Sequence, residues 1–338
     1  MNGRVVLFGA NGFLGSHIAQ ALQADDFEFF GFSKTGRPQG LPLQHLRRGE
    51  ATKAIQARQV LLWDQEARRC WFRVKTLHVR PALDLVTAGV TGISDVLERL
   101  QPTVIVNAVG ALTGSESELE AANLRAVQNL LEAAEQTVRR ARVIHLGSAA
   151  EYGFCEPGSS VSEDAICKPI GMYAKLKLAA TQLMLESNLE TATLRIANPV
   201  GPRTPETLLP GAIAQRLRTA ILENASEVRS GPLSDYRSYV DTRDIAQAVL
   251  AVAHAENPPR LINIASPRAV QVRELVTELV RISGFQGELI EENALASNRS
   301  SAVPWQQANI SRALALGWQP RFTLQQSLED LWNATSLP

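Results

Sequence analysis

Cysteine is scarce in this chain, with Cys70, Cys155 and Cys167 the only three in 338 residues. An odd number at such wide spacing excludes a disulfide framework and a metal knuckle, and it suits a reducing compartment. Net charge is missing too: 34 basic residues balance 34 acidic ones. A global attraction to nucleic acid or to anionic lipid is therefore not expected. No apolar run approaches the length of a membrane span. The N-terminus, Met-Asn-Gly-Arg, leads straight into a short apolar stretch without the features of a signal peptide. A cytoplasmic protein is expected. There is no Gly-x-Ser-x-Gly elbow, which argues against a serine hydrolase, and no fixed-period repeat.

What remains is ordinary globular composition, 45% apolar and 20% charged, over a length that suits one large α/β unit or a main domain with a smaller lobe. The charge balance conceals a local excess. From Arg37 to Arg80 there are ten Lys or Arg against Glu50, Asp64 and Glu66. Such a stretch reads as a solvated basic surface or as an anion site.

Along the chain, Arg4 to Gly9 has the β-branched, apolar character of a buried parallel strand, followed by an amphipathic helix to about Ala24 and a second strand from Phe27 to Ser33. The pattern blurs from Arg37 to Pro81, where Cys70 to Val79 reads as a strand. It resumes with a helix near Gly92 to Leu100, a strand from Thr103 to Val109, a long helix from about Glu116 to Arg139 and a strand from Arg142 to Leu146. A loop from Ser148 to Pro169 precedes helical spacing from Met172 to Glu186 and a strand from Thr191 to Ile196. Strands alternating with helices predict a doubly wound parallel sheet. The expected organisation is a dinucleotide-binding domain over 1–198, with 238–265 returning to it. A smaller substrate-binding lobe is expected over 199–237 and 266–338, and an irregular insertion over 37–81.

Two clusters carry chemistry. Gly9, Gly12 and Gly15 sit at the first strand-to-helix turn, where glycines permit a tight turn, close approach to a pyrophosphate and close helix packing. Asn11, Phe13 and Leu14 complete that turn, and the helix N-terminus presents free N–H groups to phosphate. The second strand ends in Ser33 and Lys34, with Arg37 close behind and no acidic residue to hold a ribose diol. A hydroxyl and two cations suit the extra phosphate of NADP, although they also read as exposed loop charges. In the second cluster, Tyr173 and Lys177 lie four apart in a helical segment and share a face. An ammonium there favours the phenolate, which makes Tyr173 a usable proton donor or acceptor. Ser148 follows the strand Arg142 to Leu146, where active-site groups of parallel sheets collect.

Taken together, these motifs resemble the extended short-chain dehydrogenase/reductase family of nucleotide-sugar epimerases, dehydratases and 4-keto reductases. The likeness rests on GANGFLG (Gly9 to Gly15), Asp84-Leu85, NAVG (Asn107 to Gly110), GSAAEYG (Gly147 to Gly153), YAKLK (Tyr173 to Lys177), RIANPVGP (Arg195 to Pro202) and RSYVDTRD (Arg237 to Asp244). It implies a Rossmann fold with a C-terminal lobe and Ser148, Tyr173 and Lys177 as the catalytic groups. Asp84 and Leu85 would lie against the adenine, and Ala108, Val109 and Gly110 beside the cofactor. Asn123 would support the central strands, and Asn198 and Arg237 would hold the diphosphate of a nucleotide sugar. Ala149 and Ala150 stand where the family's 4,6-dehydratases carry an Asp-Glu pair, which disfavours dehydration. Ser33, Lys34, Arg37 and the Glu151-Tyr152 pair resemble the reductases. The expectation is an NAD(P)H-dependent reductase of an NDP-4-keto-6-deoxy sugar, using NADP (NAD possible), without metal and as a homodimer. An NAD-dependent 4-epimerase and a non-catalytic NADP-sensing regulator are the alternatives.

Overall fold

The computed structural model describes residues 3–25, 27–34, 83–292 and 303–335, together with the backbone of Leu77–Val79. Most of the basic stretch, with Arg37, Cys70 and the expected insertion over 37–81, lies outside the described residues.

Apolar runs with no polar face can be satisfied only where both sides of a strand are covered, and the chain uses them that way. Strands β1 (Arg4–Phe8), β2 (Glu28–Phe32), β3 (Leu77–Val79), β4 (Val104–Asn107), β5 (Arg142–Ser148), β6 (Thr191–Ile196) and β10 (Leu261–Ile264) form one parallel sheet, in the order β10-β6-β5-β4-β1-β2-β3. Helices Phe13–Ala24 and Thr242–His254 pack together on one face, and Gly89–Leu100 and Ala126–Thr137 on the other. Each face has its own apolar core, with Leu7, Ile18, Ile144 and Val249 in one and Phe8, Ile93, Ile105 and Leu130 in the other. The chain runs outward in both directions from β1 and β4, so the strand order reverses between them. Such a reversal opens a crevice beyond the carboxyl ends of the strands.

A second sheet lies past that crevice. Strand β9 (Tyr236–Asp241) pairs with β7 (Asn198–Val200), β11 (Ala269–Gln271) and β13 (Trp305–Gln306). Residues 238–241, expected to return to the main domain, are therefore part of this small sheet; the following helix and β10 do join the large one. A two-stranded parallel ribbon, β8 (Glu227–Ser230) with β12 (Glu288–Glu291), completes the strands. A third core, including Ile213, Leu217, Leu275 and Leu328, fills this part of the molecule.

The long helix expected from Glu116 to Arg139 is interrupted. Glu116–Glu120 is α-helical, Ala121–Arg125 forms a π-helical turn, and Ala126–Thr137 resumes the α-helix. The wider turn aims the buried Asn123 at the loop after β4. Its side chain donates to the carbonyls of Ala111 and Leu119 at 2.8 and 2.9 Å and accepts from the Ala111 N–H at 3.3 Å. Insertions of this kind are common at functional sites.

Candidate active site

The first strand-to-helix turn is shaped by what its glycines leave out. Gly9 has φ +86°, and a Cβ there would lie 2.8 Å from the carbonyl carbon and oxygen of Ala108. A Cβ at Gly15 would fall 1.9 Å from the Gly9 oxygen, so the helix can sit this close to the turn only without a side chain. Gly12 caps the helix, whose first turn begins with Phe13 and Leu14, and neither a side-chain cap nor an acidic residue blocks that end. The glycine positions and the open, acid-free N-terminus fit a dinucleotide pyrophosphate.

At the end of β2, Asn11 donates to the hydroxyl of the buried Ser33 at 2.7 Å. Lys34, with its side chain 83% exposed, extends toward Asp84, 3.5 Å away. Asp84 in turn accepts the Val86 N–H at 2.8 Å, while Leu85 is buried with its carbonyl held by Asn129. The described residues at the end of β2 and beside it thus bring together a hydroxyl, a cation and the Asp84 carboxylate that pairs with that cation. Arg37 lies outside the described residues. Ala108 and Val109 follow the carboxyl end of β4, held by bonds from Ala108 N–H to the Phe8 carbonyl and from Val109 N–H to the Asn107 side chain.

Ser148, Tyr173 and Lys177, expected from the sequence to handle the proton, lie on β5 and on the helix that packs against it. Helix Gly171–Glu186 packs against β5 and carries Tyr173, half-buried, one turn before the buried Lys177. Lys177 Nζ donates to the carbonyl of Leu146 at 2.9 Å, two residues before Ser148. A Cβ on Gly110 would lie 3.1 Å from that Nζ, which places the ammonium at the end of β4 as well. Burial pushes the Lys177 ammonium down to about 8, and the charge of Glu151 opposes the fall. Ser148 ends β5, and its hydroxyl accepts the Ala150 N–H at 3.2 Å. A phenol, an ammonium and a hydroxyl on two adjoining elements are suited to moving one proton to or from an oxygen above the crevice.

Asn198 and Arg237 approach from the small sheet. Ser148 is in register with Ile196, so Asn198 begins two residues past the strand neighbour of Ser148. Its Nδ2 donates to the Ser238 carbonyl and to Gln306 Oε1, both at 2.9 Å. Arg237 is buried and paired with Asp235 at 2.9 Å.

Sequence reasoning did not find Gln306, which sits 108 residues from the side chain it holds and in no local motif. Nor did it find the pair of Glu151 and Arg195, each within a recognisable motif but not linked by it. Arg195 Nε meets Glu151 Oε2 at 2.8 Å, with side chains 3% and 0% exposed. Burial pushes the Glu151 carboxyl up, and the Arg195 cation pulls the other way.

The model of the NAD dependent epimerase/dehydratase family matches residues 5–265. A dTDP-6-deoxy-L-talose 4-dehydrogenase (NAD(P)(+)) from Kitasatospora kifunensis is 32% identical over 262 residues, 75% of this chain and 82% of that protein. A GDP-6-deoxy-D-mannose reductase from Pseudomonas aeruginosa is 25% identical over 62% of this chain and 70% of its own. Among solved structures, the Bacillus cereus UDP-glucuronic acid 4-epimerase, with NAD bound, superimposes with a TM-score of 0.74 at 20% identity. The match covers 98% of both chains. The Pseudomonas aeruginosa RMD structure with NADPH gives a TM-score of 0.72 at 19% identity, also over 98% of each.

Proposed function

The chain belongs to the NAD dependent epimerase/dehydratase family, and from that premise we propose that it is an NADPH-dependent reductase of a nucleotide-linked 4-keto-6-deoxy sugar. The observation that carries the proposal is the seat of Lys177. This buried ammonium is bonded to the strand that ends in Ser148 and stands one helical turn from Tyr173, beside the end of β4.

In this reading Gly9, Gly12 and Gly15 admit the pyrophosphate, and Phe13 and Leu14 offer it their backbone N–H groups. Ser33 and Lys34 meet the ribose phosphate that distinguishes NADP. The bound nicotinamide supplies the hydride. Ser148 donates a hydrogen bond to the substrate carbonyl oxygen, and Tyr173 gives that oxygen its proton. Lys177 offsets the negative charge left on the phenol. Arg237 meets the diphosphate, and Asn198, whose two amide protons are committed to Ser238 and Gln306, braces that edge, so that the sugar reaches Ser148 from the small sheet of β7, β9, β11 and β13. A fixed approach of this kind lowers the entropic part of the barrier.

Two features favour net reduction. The positions after Ser148 are Ala149 and Ala150, which carry no carboxylate to remove water from the sugar. The Glu151 carboxylate that follows is buried and engaged with Arg195. Strand β2 runs into Ser33 and Lys34 rather than into an acidic residue for an unphosphorylated ribose, and two of the sugar-nucleotide relatives are named as a 4-dehydrogenase and a reductase. The same reading includes a cytoplasmic homodimer, supported by the cysteine usage and by the resemblance of the helical stretches around Glu116 to Arg139 and Met172 to Glu186 to the dimer-forming helices of the family.

Cofactor stoichiometry tests the proposal. With a nucleotide-linked 4-keto-6-deoxy sugar, one NADPH is consumed for each product molecule. Product formation with no net loss of NADPH identifies an epimerase instead.

A further inference from the structure

Behind Ser148 lies a dry polar network that the proposed reaction does not use. Glu151 is fully buried at the end of the short helical turn Ala149–Tyr152. One carboxylate oxygen accepts the Ser148 N–H at 2.8 Å, and the other accepts Arg195 Nε at 2.8 Å. A Cβ on Gly147 would come 2.8 Å from the first of those oxygens, so the carboxylate fits because that residue is glycine. The Arg195 guanidinium lies 4.6 Å from the centre of the Tyr152 ring and donates to the Glu163 carbonyl at 3.3 Å. Tyr152 Oη donates to Asn263 Oδ1 at 2.6 Å, and the Asn263 N–H donates to Glu163 Oε1 at 2.8 Å. The network ties β5, β6 and β10 together.

We propose that Glu151 is a positioning residue for the reaction: one oxygen fixes the backbone that carries Ser148, and its carboxylate sits at the same end of β5 that anchors Lys177. The inference rests on the reductase reading of the same site.

Ser148 and Glu151 form a capping box on this turn, each side chain accepting a backbone N–H, but such a box works equally with an exposed Glu or a neutral Gln, so capping alone does not call for a fully buried carboxylate. A buried ion pair is also a poor source of stability, since desolvation of both charges offsets most of their attraction. What a carboxylate adds at this position is a field. Lys177 is fully enclosed, and Glu151 is the anion that acts on it among the described residues. Several other titratable groups face this pair. Arg195 reaches Glu151 from β6, and Cys167 and Glu163 lie beside Arg195 from the loop before Tyr173. Tyr152 stands on the same turn. His145, on β5, is driven well below its ordinary value by burial and by the neighbouring Lys177. Tyr173 is one turn earlier on the Lys177 helix.

Burial has already brought the Lys177 ammonium down to about 8, so removing the opposing anion lowers it further. Activity that needs the cation then fails at lower pH. The test is kcat/KM for NADPH-dependent reduction across pH, in wild type, Glu151→Gln and Glu151→Asp. In Glu151→Gln the alkaline limb moves down by about one pH unit and kcat falls about tenfold or more, with NADPH affinity in slightly acidic buffer unchanged. Glu151→Asp keeps the charge and loses the reach to the Ser148 N–H, so kcat falls while the limb stays. An unmoved limb in a folded Glu151→Gln protein overturns the electrostatic role. A wild-type kcat in Glu151→Asp overturns the positional one, whether or not the glutamine variant folds. Both results leave the reductase reading standing if NADPH is still consumed mole for mole, whereas loss of that stoichiometry sinks the reading itself.

Discussion

The carboxyl end of the large sheet and the small sheet that begins two residues past β6 are built in different ways. Ser148, Tyr173 and Lys177 come from one strand and the helix that packs on it, within 30 residues of sequence. Their positions are set by backbone hydrogen bonds of regular elements and by a lysine anchored on a strand carbonyl. The Asn198 and Arg237 side is assembled from β7, β9 and β13, and its central contact joins side chains 108 residues apart. Groups that must meet a reacting atom within fractions of an ångström gain from rigid elements, whereas groups that select a substrate can sit on a more composite surface. The expected consequence is a division of labour: kcat on the large-sheet side, KM on the small-sheet side.

On the large-sheet side, apart from the proton donor itself, the largest expected effect belongs to Gly15→Ala, and it falls on cofactor binding. Its Cβ would meet the Gly9 oxygen at 1.9 Å, against backbone that cannot swing aside. NADPH affinity measured by fluorescence falls more than about tenfold, and the melting temperature drops with a cost of about 1–3 kcal/mol. Asn198→Ala comes next. It removes one partner of the contact to Gln306 and the Ser238 carbonyl, so KM for the sugar nucleotide rises about tenfold while kcat stays within about threefold. Gln306→Ala, which leaves Asn198 its bond to Ser238, raises KM only a few-fold, about 0.5–1 kcal/mol. A kcat loss larger than the KM change in either small-sheet variant would break the proposed division.

Much of the large-sheet side was legible because its signals are local. The strand expected from Arg4 to Gly9 is β1, the glycine turn follows it, and the spacing of Tyr173 and Lys177 survives as a shared helix face. The helix expected over 116–139 is broken by the π-helical turn that aims Asn123. One extra residue in a turn leaves apolar periodicity almost unchanged, so the pattern did not betray it. The sheet to which residues 238–241 belong was hidden for another reason. The return of 238–265 to the main domain was expected from the resumed rhythm, but the partners of β9, Ala269–Gln271 and Trp305–Gln306, lie far along the chain, and pairing is a tertiary choice. The Glu151–Arg195 pair spans 44 residues between two recognisable motifs, neither of which says which way its charge points.

The most direct test of the proton assignment is steady-state reduction by Tyr173→Phe, a change that deletes one hydroxyl and keeps the ring. The expected result is a fall in kcat of about 10²–10⁴ while NADPH still binds with wild-type affinity, because only the proton donor is gone. Turnover at the wild-type rate in that variant would contradict Tyr173 as the proton donor and, with it, Lys177 as the charge that stabilises its phenolate.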